Sequence, residues 1–422
     1  MSDRLKHETA LDGWSDVFTS VEHENSADIV RYAGSAGGRL AVRHLIELYG
    51  EGLSNVICTE IPSDGLKNGI SISGDEDGVL HKALESLRVS TEFHNAWSIA
   101  RGLGGSIIVM SLDDGGALDE PVNIDRISAI TDLEVFDRSQ IKIDTTCFDT
   151  DTESIYFGKV YRYRVTLRDG QETYIHADRC LYFAGDFLPW EKKKDNDYFD
   201  GSVIQRCYSS LTKYGPGLEY INKILKRVSI LKFGITGLAE KVAMGKSDEI
   251  KQRLRIMKQS MSTLDAAVYD ADGETVTSET LNTAGLSDLI KTFMIPVSTE
   301  SRIPVSRLFS KLVGGLGNEG DSDESRYYDH VGLERRRVLT PVYNRLIEYL
   351  CIANGIDPES VSWEFNPLKQ TSKKEESEIK EKHYENIVKL YDMRLINTED
   401  AVKAINDSGY SILSSIDTNE EL

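Results

Sequence analysis

The stretch that decides the fold runs from Arg302 to Leu350: RIPVSRLFSKLVGGLGNEGDSDESRYYDHVGLERRRVLTPVYNRLIEYL. Pro304 stiffens its start, and the apolar Leu308-Phe309 pair leads into a glycine-rich acidic segment. That segment opens onto a long helical pattern with a kink expected at Pro341. The order describes a loop carried on a stiff lever. A catalytic pocket would need convergent His, Cys or carboxylate groups, and this stretch supplies none. It does spell GxGxxG, at Gly315, Gly317 and Gly320. A dinucleotide fingerprint follows a buried strand and sets pyrophosphate at a helix N-terminus. Here the helix opens Asp321-Ser322-Asp323-Glu324, whose carboxylates already occupy the favourable end of the dipole and repel phosphate. Residues 308–313 are short and broken by Lys311, a poor central strand. An N-cap at Ser322 or Asp323 is the better physical reading.

Composition bounds the rest. A chain of 422 residues suggests two to four domains, and 40% hydrophobic with 28% charged residues is ordinary for a globular protein. Cys58, Cys147, Cys180, Cys207 and Cys351 are odd in number and scattered, with no CxxC pair, which points to a reducing cytosol. The polar N-terminus and the lack of any apolar run near 18 residues predict neither secretion nor a membrane span. The net charge of −20 disfavours a conventional DNA-binding surface. Charge is segregated, however. Residues 223–258 hold ten Lys/Arg against three Asp/Glu, while residues 265–300 hold one Lys against seven acids.

The first 200 residues read as mixed α+β. Residues 28–60 form a helical segment with Leu40, His44, Leu45 and Leu48 on one face, capped at Asn25 or Ser26. Residues 61–75 read as extended. A helix covers 78–103, followed by strands at 107–112, 133–143 and 160–167. Asp169-Gly170 closes a hairpin onto 172–176, and 180–183 continues that sheet. Beyond Asp200-Gly201 the pattern turns helical through Val203, Cys207, Leu211 and Tyr214. Gly215-Pro216-Gly217 is expected to break that helix, with a new one from Pro216 placing Leu218, Ile221, Leu225, Val228 and Leu231 on one face. Ile250, Leu254, Met257, Met261 and Leu264 form another stripe. Residues 266–281 read as a hairpin around Asp272-Gly273 and 286–295 as a short helix. Helices are expected at 322–353, 372–393 and 397–405, with a disordered tail at 411–422.

Familiar chemistry is missing. No histidine sits in HExxH, HxH or HxxxH spacing, so no metal site and no cofactor is expected. Asp270, Asp272 and Gly273 echo a calcium loop without its first ligand or closing Glu. Neither GxSxG nor GxxxxGK[ST] occurs, and the turn pair Asp113-Asp114 reads as solvated. His7-Glu8-Thr9 is a single HxT motif, whereas a phosphodiesterase of that type needs two histidines as acid and base. No catalytic residue is expected.

Four collinear stretches carry a resemblance: HNAWSIARGLGGSIIVMSLDDG at 94–115, HADRCLYFAGDFLP at 176–189, DGSVIQRCYSSL at 200–211 and IPVSRLFSKLVGGLGNEGDSDESRYYD at 303–329. Together, over roughly residues 28–355, the chain resembles the portal proteins of tailed bacteriophages, in a branch formerly catalogued as a phage protein family of unknown function. The Gly215-Pro216-Gly217 break falls inside what should be a continuous helix of that family. The resemblance implies an α+β phage portal fold assembled as a ring of about twelve subunits. A mixed α/β wing would span 1–200, and helices leading into and forming the first stem 201–231. The clip would span 232–285 and the second stem helix 286–300. A channel-loop region would lie at 301–324, a wing helix and return at 325–367, and a helical crown with its tail at 368–422.

The resemblance further implies a structural role in virions, with assembly in the host cytoplasm. Double-stranded DNA would pass through the ring. The terminase large subunit, major capsid and scaffolding proteins and a head–tail adaptor would dock on it. Twelve copies at −20 give a formal −240, and an acidic lining lets DNA slide with little counterion release. The implied channel-loop residues are Lys311, Gly314, Gly315, Gly317, Asn318, Glu319, Gly320, Asp321, Asp323 and Arg326. Lys241, Lys246, Lys251, Arg253, Arg255, Lys258, Asp270 and Asp272 would serve inter-subunit or motor docking on the clip. Alternatives are a phosphodiesterase through His7–Thr9, a nucleotide-binding enzyme through Gly315–Gly320, or a head–tail adaptor.

Overall fold

A computed structural model describes residues 38–226, 229–236, 274–280, 285–309 and 320–369, with single positions and short pieces between 244 and 397. The chain divides into two units, Met1–Leu66 with Ile72–Trp363, and Lys67–Ser71 with Glu364–Leu422. In order the elements are α1 Val42–Tyr49, α2 Gly52–Leu66, β1 Ile70–Ser73, α3 Val79–Ser86, α4 Val89–Leu103, β2 Gly105–Asp113, β3 Ala129–Asp137, β4 Ile141–Lys142 and β5 Arg162–Thr166. They continue with β6 Glu172–His176, β7 Cys180–Ala184, α5 Trp190–Asp195, α6 Val203–Lys226, β8 Ser229–Ile235 and β9 Glu274–Thr280. The last are α7 Leu286–Ser301, α8 Val305–Leu308, α9 Gly320–Ala353 and β10 Ser362–Phe365.

The larger unit is organised on β2, the centre of an antiparallel sheet of order β3-β2-β7. Its GSIIVM half is buried on both faces, so it reads as an apolar run rather than an alternation. Helix α4 packs on it and carries the fully buried Phe93, Ala96, Trp97 and Ala100, with the Trp97 ring against Gly65 of α2. Phe93 meets Phe183 of β7 edge-on at 5.2 Å and Tyr343 of α9 at 4.9 Å. Each such ring contributes about 1.5–3 kcal/mol by leaving water. The helix stops at Gly104, whose φ of 97° lies in the left-handed region. A Cβ there would lie 2.3 Å from the Asp200 carbonyl oxygen, so only glycine fits. A second sheet, β4-β5-β6, packs Ile141, Tyr163, Val165 and Ile175 into an adjoining core.

In the smaller unit, Asn366 Nδ2 donates to the Asn68 carbonyl at 2.7 Å, and the Ser71 hydroxyl donates to Asn366 Oδ1 at 2.6 Å. Residues 381–382 and 385–391 are helical, within the helix expected at 372–393. The expected cap at Asn25 or Ser26, the Ile250–Leu264 stripe, the helix at 397–405 and the 411–422 tail lie outside the described residues, Asn397 apart.

Several expectations are corrected. Within the described part of the expected 28–60 helix, from residue 38, the chain forms two helices parted at Gly50-Glu51, and α2 runs on to Leu66 through Pro62 where an extended chain was expected. The 78–103 helix is also two, because Arg88 adopts a left-handed φ of 52°. The 133–143 strand breaks after Asp137 into β3 and β4. Strand β7 does not extend the β5–β6 hairpin. It pairs with β2, because residues 177–179 form a single 3-10 turn that carries the chain to the other sheet. Asp114 is not solvated either; it is buried against Arg179.

The expected break at Gly215-Pro216-Gly217 does not occur, and α6 passes unbroken through Pro216. Pro216 is exposed while Gly217 is buried, so the turn that loses a hydrogen bond lies on the outer side, where a carbonyl can be hydrated. Nor does the helix continue to Leu231. SILKFGI alternates with a period of two and forms β8. Its partner among the described residues is β9, which was expected to pair locally around Asp272-Gly273. Helix α7 is longer than the predicted 286–295, and α9 passes through Pro341. All five cysteines are free and buried, and burial pushes the Cys58 and Cys207 thiols up to about 12. Among the described residues no helix is long and apolar enough to cross a membrane. Among the same residues no cluster of three His, Cys, Asp or Glu could hold a metal.

Candidate functional site

Helix α6, strands β8 and β9 and helix α7 form one hairpin on a larger scale. The register sets Ser229 opposite Thr280, so the end of α6 and the start of α7 lie at the same end of the strand pair. Arg206 Nε donates to the Glu300 carbonyl at 2.6 Å, and Gly217 meets Phe293 further along. Numbers rise on one helix as they fall on the other, so the two are antiparallel. Their close approach depends on Gly217. A Cβ at that position would stand 2.7–2.8 Å from three atoms of the Phe293 ring. Arg206 also donates through Nη1 to Asp186 Oδ2 at 2.5 Å, fixing the root of the hairpin to the segment after β7.

Past α7 the chain turns through α8 and reaches Arg307. This guanidinium lies 3.2 Å from Glu60 and 3.0 Å from Asp64, both on α2. It lies 3.7 Å from Glu324 of α9 and hydrogen bonds the Tyr328 hydroxyl. The Tyr327 and Tyr328 rings stack near it, at 5.2 and 5.3 Å. Tyr327 in turn donates to Asp64 Oδ2 at 2.8 Å. Burial alone would lower the Arg307 pKa, but Asp64 and the two tyrosines raise it above the ordinary value. One arginine thus ties the residues before the glycine-rich segment to those after it, and both to α2.

Replacing Arg307 with methionine is expected to destabilise the protein by about 1–3 kcal/mol, read as a lowered urea midpoint. Lysine at 307 should recover less than half of the loss, because a point ammonium cannot satisfy several carboxylates from one plane.

Most of the implied site residues are not positioned by this geometry. Lys311, Gly314, Gly315, Gly317, Asn318 and Glu319 lie outside the described residues. Gly320, Asp321, Asp323 and Arg326 fall within the first turns of α9, so the last residues of the expected channel-loop region are helical. Ser322 and Asp323 are therefore inside the helix and not its N-cap. Lys241, Lys246, Lys251, Arg253, Lys258, Asp270 and Asp272 also lie outside, and Arg255 is a single exposed helical position. The glycines of GxGxxG follow a helix, Val305–Leu308, so no strand leads into them among the described residues.

The sequence reading missed Arg307 and its partners. Glu60 and Asp64 are spaced i, i+4, which puts both carboxylates on one helical face. That signal was hidden because residues 61–75 read as extended.

A family model described as phage portal protein matches residues 47–389. A curated relative, the anti-CBASS protein Acb1 of Caulobacter sp. (strain RHG1), is 26% identical over 69% of this chain and 48% of its own length. An uncharacterized protein of Haemophilus influenzae is 24% identical over 65% of this chain and 62% of its own length. The chain spans about half the length of the Acb1 relatives it matches. Among solved structures, the neck of a native gene transfer agent (GTA) particle is 11% identical, with a TM-score of 0.49, covering 89% of this chain and 97% of that one. An HK97 family phage portal protein from Corynebacterium diphtheriae is 9% identical, with a TM-score of 0.37, covering 76% and 94%. With 47–389 matched end to end by one family, most of its length, the chain belongs to the phage portal protein family.

Proposed function

We propose that this chain is the repeating subunit of a ring that forms a channel for double-stranded DNA at one capsid vertex, serving packaging and ejection. The α6–β8–β9–α7 hairpin carries the reading: an antiparallel helix pair tipped by a strand pair is what a stem ending in a clip requires. In domain terms, residues up to about 200 form the wing, α6 and α7 the stem, the residues between them the clip, and α9 the helix behind the channel loop. Residues from 368 onward form the crown. Terminase, then a head–tail adaptor, dock on the assembled ring, and capsid and scaffolding proteins surround it. The role is structural rather than enzymatic.

The glycine-rich segment is read as the loop that meets DNA. Its acidic followers, Asp321 and Asp323, keep the lining from gripping phosphates, while Lys311 and Arg326 touch them transiently. Deleting Gly314–Gly320 is expected to spare ring formation but lower the DNA retained in particles by at least about tenfold, measured by quantitative PCR of nuclease-treated heads. Rings that fail to form would make the segment structural instead.

The basic stretch around Arg253, Arg255 and Lys258 is read as pairing with the acidic 265–279 stretch of an adjacent clip. Reversing Arg255 to Glu should then shift the ring–subunit balance toward subunits by about tenfold at low salt, by mass photometry. An unchanged ring would remove the pairing.

A second reading follows from the Acb1 relatives, whose name denotes an anti-CBASS role. The match spans 48% of the Caulobacter protein, so that role belongs to a chain with as much again outside the match. Here a phosphodiesterase reading rests on His7-Glu8-Thr9 alone. The full chain should release no nitrophenol from bis-p-nitrophenyl phosphate; release abolished by His7→Ala would favour this second reading.

A further inference from the structure

A cleft of about 360 Å³ opens between α9 and the β5–β7 region, away from the helix hairpin. Its lining includes Lys159, Arg337 and Arg345 and no carboxylate, in a chain of net charge −20. Arg345 is held in place by neutral acceptors, donating to the Ala177 carbonyl at 2.7 Å and the Cys180 carbonyl at 3.0 Å. Neither Arg345 nor Lys159 forms an ion pair among the described residues. Arg337 has one, with Glu334 at 2.6 Å. The acid nearest in sequence to Arg345's acceptors, Asp178, is engaged by the Tyr156 hydroxyl. The remaining walls are apolar or aromatic, with Tyr163 stacked on Tyr182 at 6.2 Å and 10°.

We propose that this cleft binds a phosphate monoester of a small apolar or aromatic alcohol. Lys159 and Arg345, neither in an ion pair among the described residues, supply two positive charges for a dianion, and charge-assisted hydrogen bonds are strongest where the donors are already fixed, as in Arg345. The volume suits a small ligand, and the apolar walls take its body. The site owes nothing to the channel reading, so either stands if the other fails.

The test uses the full-length protein and phenyl phosphate as probe, followed by 31P line broadening and calorimetry. Binding at about 1 mM or tighter is expected, at least about tenfold stronger than inorganic phosphate or phenol. Lys159→Glu, at an exposed position that leaves the core untouched, should weaken it by at least about tenfold. No binding by phenyl phosphate, equal binding of phenol, or unchanged affinity in Lys159→Glu would each overturn the proposal.

Discussion

Replacing Arg179 with methionine is expected to cost the protein about 3–5 kcal/mol, seen as a large drop in the urea midpoint. Arg179 and Asp114 are both sealed from solvent, with side-chain exposures of 2% and 0%. The guanidinium grips the carboxylate with both arms, at 3.1 and 2.8 Å, and its Nε donates to the Glu120 carbonyl at 2.9 Å. Asp114 also accepts from the Gly116 and Asn123 backbone N–H groups at 3.1 and 2.9 Å. Methionine fills much of the volume but leaves a buried carboxylate without its counter-charge, and that is where the cost arises. Removing both charges together, as Arg179→Met with Asp114→Leu, should recover at least half of the loss. A single-variant loss below about 1 kcal/mol would mean the pair contributes little.

The same pair gives a pH dependence. Burial alone would raise the Asp114 pKa, yet the Arg179 and backbone hydrogen bonds hold it down at about 2. A depressed carboxylate stabilises the fold fully above its unfolded value of about 4, and that contribution fades as pH falls toward 2.

Gly217→Val is expected to impair assembly of the proposed ring severely while leaving the β3-β2-β7 sheet and its helices folded. The added Cβ would press into the Phe293 ring at 2.7–2.8 Å, and valine adds two methyl groups to it. Overpacking of this kind costs about 1–3 kcal/mol per subunit, and the two helices must move apart or shear. In the proposed ring every copy would carry that change, so assembled particles should fall at least about tenfold by mass photometry. Shrinking the opposing ring with Phe293→Leu in the same chain should restore part of the assembly. An intact ring in Gly217→Val would show that the helix pair is not close-packed in the assembly.

How much was legible beforehand differs from place to place. The β2 strand and the turn at Gly104 were readable, because an apolar run after a double glycine has few alternatives. The α6–α7 hairpin was half readable. A Gly-Pro-Gly triplet breaks an isolated helix, but Phe293 packs on the buried Gly217 while Pro216 faces outward, a tertiary fact with no local trace. Strand β8 was missed because Leu225, Val228 and Leu231 also fit a helical spacing, and seven residues carry too little pattern to decide. The Asp113-Asp114 turn looked solvated because its partner stands 65 positions further along the chain. The Arg307 cluster needed both α2 and α9 in place before Glu60, Asp64 and Glu324 could be seen to converge.

The claim that unites these observations is that the α6–α7 hairpin is one stave of a closed ring. Mass photometry of the purified full-length chain tests it most directly. Twelve copies of a 47.2-kDa chain predict a discrete species near 570 kDa. A sample that stays at the mass of one or two chains, at every concentration and salt tried, would contradict it.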